Sequence, residues 1–167
     1  ITNNVSGSGV YINAGVRGTT INNNNQITSN KKGIYAFGAL GTEVKDMTIA
    51  SNTISGNTTA NVHLRYTTQV APNTYNLIQG NTIANSTNGY GIHLENSSYT
   101  KINQSNTITG NKRGIYLDNS YENVIKNNQI SGNEVGIYLN PSWENTIQDN
   151  TIASNNAGSK KTGIYIN

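Results

Sequence analysis

NTITGNKRGIYLDNSYENVIKNNQISGNEVGIYLNPSWENTIQDN, residues 106–150, contains one phrase twice. Asn-x-Ile-(Ser/Thr)-Gly-Asn-x-x-Gly-Ile-Tyr-Leu runs from Asn106 to Leu117 and again from Asn128 to Leu139, a repeat of 22 residues. Short apolar triplets separated by Asn and Gly at such a period mark a solenoid, whose coils bury a core only by stacking on one another. Chemistry must then be sought in columns of stacked residues.

Working outward from this pair, Gly-Ile-Tyr elements centre on Val10, Ile34, Val62, Ile92, Ile115, Ile137 and Ile164, at spacings of 24, 28, 30, 23, 22 and 27. A second apolar column reads Val5, Ile27, Ile54, Ile83, Ile108, Ile130 and Ile152. A third reads Ile1, Ile21, Ile49, Ile78, Ile102, Ile125 and Ile147. Runs of three or four residues, rich in Ile and Tyr and bounded by Asn and Gly, suit strands, and no stretch reads as a helix of ten or more. The expected fold is all-β: a single-stranded right-handed parallel β-helix of about seven coils of 22–30 residues, with three short strands each. Residues 1–167 are expected to form one such domain, or a segment of a longer solenoid.

Two residues before each member of the second column stands an asparagine: Asn3, Asn25, Asn52, Asn81, Asn106, Asn128 and Asn150. One rung apart, such amides can donate to the next carbonyl and accept from the previous one, forming a structural ladder. A second ladder is expected at Asn30, Asn57, Asn111, Asn133 and Asn155, with Ser8 and Ser86 as departures.

Composition limits the functional classes. The chain is 34% hydrophobic and 11% charged, with net charge +3 and no cysteine. Thiolate metal sites, disulfides and cysteine nucleophiles are excluded. Basic pairs occur at Lys31-Lys32, Lys112-Arg113 and Lys160-Lys161. They read as solvated turn charge, so no nucleic-acid partner is expected. No apolar run reaches the length of a membrane span.

The repeat resembles those of the NosD-like family and of the wider group of carbohydrate-binding and sugar-hydrolysing β-helices, over nearly the whole chain. That resemblance implies the fold. It leaves the activity open, because the same repeat carries lyases, epimerases, hydrolases and adhesins.

Within Gly-Ile-Tyr-Leu, Ile and Leu share one face, so the residue between them points out of the solenoid. This outward column reads Tyr11, Tyr35, His63, His93, Tyr116, Tyr138 and Tyr165. The tyrosines, with Trp143 on another face, are candidate binding residues for sugar rings or for another protein. His63, Arg65, His93, Glu95 and Asp118 fall on three neighbouring rungs. They form the candidate catalytic set of a uronate lyase or epimerase, with a cation for the carboxylate and a base for the adjacent proton. An Arg65–Glu95 ion pair without any reaction is the simpler reading. Two stacked histidines suggest a transition metal, but no third ligand is evident, so neither metal nor cofactor is expected.

The ends lack recognisable caps, which points to stacking of the protein upon itself head to tail. The leading expectation is a noncatalytic structural solenoid, extracellular, on the cell surface or periplasmic, that self-associates through its ends or its aromatic face. The alternative is a polysaccharide-binding or polysaccharide-active module for uronate-containing glycans.

Overall fold

A computed structural model describes residues 1–69, 74–86, 88–156 and 161–167. Lys160 of the last basic pair lies outside the described residues. The chain winds into a parallel β-solenoid with one seven-stranded and two six-stranded sheets, giving about six turns. All pairing between named strands is parallel. Among the described residues no helix is long and apolar enough to cross a membrane.

The three apolar columns are the three inner faces. Ile34, Val62, Ile92, Ile115 and Ile137 stack in register in the seven-stranded sheet. Ile27 to Ile152 and Ile21 to Ile147 do the same in the other two. Their side chains form one continuous core. At roughly 1.5–3 kcal/mol per buried Ile or Leu side chain, this spine is the main source of cohesion in so polar a chain.

The first coil departs from the sequence reading. Thr2 bridges Thr28, and the Ile1 amino group donates to Gln26 O, so Ile1 belongs beside Ile27 and not in the third column. Val5, expected in the second column, is 75% exposed. Asn3 is likewise outside the ladder. Its neighbour Asn4 donates to Asn30 Oδ1 at 2.9 Å and thereby starts the second ladder, in the place assigned to Ser8. Ile1 thus takes the place assigned to Val5, a shift of four residues that preserves the alternation of faces and still leaves an apolar residue beside Ile27 and an asparagine, Asn4, beside Asn30.

From Asn25 onward the first ladder is as expected. Asn25, Asn52, Asn81, Asn106 and Asn128 each donate Nδ2–H to the Oδ1 of the next member, ending at Asn150. Asn106 is fully buried and also donates to Ile78 O and Asn103 O, both at 2.9 Å. Such satisfaction is what allows an amide to sit in a corner without water.

The second ladder contains a compensated exchange. A glycine stands one residue before the inward apolar residue in six coils, Gly9, Gly33, Gly91, Gly114, Gly136 and Gly163, and at the first five of these the next rung leaves no room for a Cβ. A Cβ at Gly114 would lie 2.6 Å from Gly136 O. Coil three has Asn61 instead, and one coil later Ser86 replaces the ladder asparagine. The Asn61 amide fills the vacated place: its Oδ1 accepts from Asn57 Nδ2 at 2.8 Å, and its Nδ2 donates to Asn111 Oδ1 at 3.1 Å and Ala84 O at 2.9 Å. The amide chain therefore passes through coil four without a break.

The third corner has a hydroxyl ladder that the sequence reading missed. Thr67 N–H donates to Ser97 Oγ, Ser97 N–H to Ser120 Oγ, and Ser120 N–H to Ser142 Oγ. Its only signal was the recurrence of Thr or Ser two residues beyond the outward column of Arg65, Glu95, Asp118 and Asn140.

Candidate metal centre on the aromatic stack

The residue between the two core positions of each long strand points away from the core, and rung spacing brings these rings into contact. Tyr35 to His63 is 4.9 Å between centroids, His63 to His93 is 4.3 Å, and His93 to Tyr116 is 4.7 Å, all stacked. Tyr11 meets Tyr35, and Tyr116 meets Tyr138, edge to face, and Tyr138 stacks on Tyr165. The seven rings thus face one another along the solenoid axis. His63, His93, Tyr116 and Tyr138 are buried, Tyr35 and Tyr165 are half-buried, and Tyr11 alone is exposed. A ring whose faces meet its neighbours offers little face to a sugar.

Two of the basic turn residues cover this stack. Lys32 Nζ sits 3.3 Å from the Tyr35 ring centroid, and the Arg113 guanidinium lies over Tyr116 at 4.4 Å and Tyr138 at 4.1 Å. Their partners Lys31 and Lys112 are exposed. The reading as solvated charge therefore holds for Lys31 and Lys112, while Lys32 and Arg113 pack on aromatic faces, where cation–π attraction holds them. Desolvation lowers the Lys32 pKa.

The five clustered residues do meet. Strand alternation places Arg65, Glu95 and Asp118 in register two residues beyond the ring column. His63 Nε2 lies 2.9 Å from Glu95 Oε2, and Arg65 Nε lies 3.2 Å from Glu95 Oε1. The anticipated Arg65–Glu95 ion pair is thus present, although the Nε–H is not aimed as a hydrogen bond. A lyase would need that cation to meet a uronate, and here Glu95 already pairs with it. Asp118 lies beside Glu95 and accepts from Asn140 Nδ2 at 3.2 Å.

Burial pushes the His63 imidazole down to about 2, with His93, Lys32 and Arg65 adding to the effect, and it pushes His93 down to about 3, with Lys32 and Arg113 adding. The carboxylate at 2.9 Å from His63 acts in the opposite sense, toward the protonated ring. Desolvation of an imidazole only 7% exposed among three cationic or imidazole neighbours outweighs it. Both histidines are therefore neutral at physiological pH, each with a lone pair available to a metal. His93 Nε2 is buried and has no hydrogen-bond partner among the described residues.

The third ligand that the sequence reading lacked is Glu95. One ligand atom from each of His63, His93 and Glu95 falls within 4.8 Å of the others. Glu95 shares a strand with His93 at i+2, and His63 is opposite His93 on the next rung, so the period of the strand assembles the set. Two imidazoles and a carboxylate suit copper(II), zinc or nickel. The single methionine, Met47, is buried in the core and there is no cysteine, so the soft donors that select copper(I) are absent from the site.

Trp143 stands at a different corner, stacked on Tyr121 with ring centroids 5.3 Å apart and planes 7° from parallel. On the same corner the Tyr99 hydroxyl is hydrogen-bonded to the Glu122 carboxylate, which with desolvation pushes it up to about 12.

No curated protein and no solved structure matches the chain. The sequence model of one family, described as periplasmic copper-binding protein (NosD), matches residues 1–167. With the match spanning the whole length and the parallel solenoid in agreement with the repeat, the chain belongs to the NosD family.

Proposed function

We propose that this protein binds a copper(II) ion in the periplasm through His63, His93 and Glu95. The observation that carries the reading is the convergence of two buried, neutral imidazoles and one carboxylate within 4.8 Å. The family description supplies the choice of metal and the compartment. Bound copper supplies a Lewis-acidic, one-electron redox centre.

The residues around it do the rest. Glu95 brings the only carboxylate in the donor set, and Arg65 fixes its orientation from Oε1. The neutral His63 imidazole lies within hydrogen-bonding distance of Glu95 Oε2, and capture of this nitrogen by a metal requires that it carry no proton. The two rings are 17° from parallel, so their in-plane lone pairs run side by side, and shared ligation requires one ring to turn out of the stack. Lys32 opposes a cation from the side of Tyr35.

Titration of the protein with copper(II) sulfate in a calorimeter tests this reading. One equivalent should bind, with nitrogen hyperfine structure from two imidazoles in electron paramagnetic resonance. His93→Ala and Glu95→Gln should each weaken binding about tenfold or more, in line with the loss of one metal ligand or outer-shell partner. Lys32→Met should tighten it. Unchanged copper affinity in the doubly substituted H63A/H93A protein would refute the site.

A second reading is self-association end to end. Exposed Ile164 and Ile166 on the last strand, and exposed Tyr11 on the first, form apolar strand edges onto which a further coil can stack. Sedimentation at rising concentration should show growing rods, and a constant monomer mass would dismiss it.

A further inference from the structure

A groove lies on the third corner, away from the histidines. It has a volume of about 240 Å³. It runs along the axis from the Tyr66 coil to the Trp143 coil, with the turn carrying Leu40 and Glu43 as one wall. Three rung steps make it on the order of 14 Å long. Its floor repeats polar groups at rung spacing. Asn119 Nδ2 donates to Asn96 Oδ1, and the Thr68 and Ser98 hydroxyls meet at 3.1 Å.

At the far end is Trp143, 48% exposed and backed by the Tyr121 ring, which stacks on it with its plane nearly parallel. Charge is almost absent. Glu43 is the only ionised side chain lining the groove, and it is held by Lys45 at 3.5 Å and by the Gly41 N–H at 2.9 Å. The ligand that complements a long, shallow, uncharged groove with amide and hydroxyl groups along it and an indole at its end is a chain of polar rings with apolar faces. We propose that this corner binds a neutral linear oligosaccharide, one ring packing against Trp143 and its hydroxyls meeting Asn119, Asn96 and Thr68. Among the described residues no cation lines the groove to select a uronate. The site is independent of metal binding.

Trp143 is the only tryptophan, so its fluorescence reports on the groove directly. Chelator-treated protein should be titrated with cellohexaose, chitohexaose and, as the acidic control, hexagalacturonate. At least one of the two neutral chains should give a saturable spectral shift, and the acidic one should not. By calorimetry, Trp143→Ala and Asn119→Ala should each weaken that binding, the former by about tenfold or more, the scale of losing one aromatic contact. Both positions are exposed, and unchanged melting curves will show that the variants fold. Absence of binding by both neutral chains, equal binding of hexagalacturonate, or full affinity in W143A would each overturn the proposal.

Discussion

Exchanging Asn61 and Ser86 for the residues of the regular coils should reveal a strong coupling between two positions 25 apart in sequence. In N61G the ladder loses an amide that accepts from Asn57 Nδ2 and donates to Asn111 Oδ1 and Ala84 O. The Asn57 N–H, which also donates to Asn61 Oδ1, loses a partner together with Asn57 Nδ2, Asn111 Oδ1 and Ala84 O, each of which keeps one other; at roughly 1–3 kcal/mol for a fully unsatisfied buried group and about 1 for a lost bond, partly relieved by an entering water, the loss should be about 3 kcal/mol. A further ~0.5–1 kcal/mol follows from glycine in a strand.

In S86N a second amide is forced into the volume that Asn61 occupies, and overpacking of this kind costs about 1–3 kcal/mol. N61G/S86N restores the arrangement of the later coils, where Gly91, Gly114 and Gly136 leave room for Asn111, Asn133 and Asn155 in turn. Its stability should return to within about 1 kcal/mol of the parent, so that the interaction energy is about 3 kcal/mol or larger. Urea unfolding of the four proteins, followed by circular dichroism, measures this directly. Additivity of the two single changes to within ~0.5 kcal/mol would refute the account of Asn61 as a ladder member.

Other outcomes follow from the same contacts. Asn106→Ala, which removes a buried amide donating at 2.8–2.9 Å to three acceptors, should lower stability by about 3–5 kcal/mol, and Asn150→Ala at the half-buried end of the ladder by clearly less; equal losses in urea would contradict the ladder. Gly114→Ala should be destabilising by ~2 kcal/mol or more, because the new Cβ meets the backbone of the next rung, and an unchanged melting temperature would show that the rungs can separate. Stability should also depend on pH. The folded-state value of His93 lies near 3, below the unfolded ~6.5, so the unfolded chain takes up a proton that the native one refuses. Stability is then level above pH ~6.5 and falls as pH drops toward 3, by about 3 kcal/mol at pH 4 for this group. His93→Tyr, which copies the neighbouring coils, should flatten that part of the profile, and identical slopes in the two proteins would exclude the histidine as its source.

The apolar columns and most of the amide ladder were legible because each is a repeated chemical demand: a dry interior at one position and a satisfied corner at another. What failed did so where a single coil lacks the usual neighbours. Coil one is fixed by its pairing with coil two alone, and nothing in its sequence distinguishes Ile1 from Val5 as the neighbour of Ile27. Asn61 was missed because its significance lies in a paired exchange with Ser86, each half of which looks like an ordinary departure from the repeat. In the candidate centre the column reading placed these residues on neighbouring rungs, but which of them face one another at bonding distance depends on side-chain packing. Glu95 reaches both Arg65 and His63, and that sharing turns a pair of stacked histidines into a three-donor set. The outward tyrosines were correctly placed on the sheet, while their burial against each other depends on ring orientations that no sequence pattern encodes.

The amide ladders give the rod a direction. In both of them every side-chain amide donates toward the higher-numbered coil, from Asn25 to Asn150 and from Asn4 to Asn155. The bond dipoles therefore add head to tail, as peptide dipoles do in a helix. Each Oδ1 is taken by the amide of the coil before it, while the same nitrogens also reach carbonyls of their own or the preceding coil. A coil laid on its neighbour in the reverse orientation would lose this match of donor to acceptor. Growth of such a structure, within one chain or between chains, is vectorial for reasons that lie in its corners and not in its core.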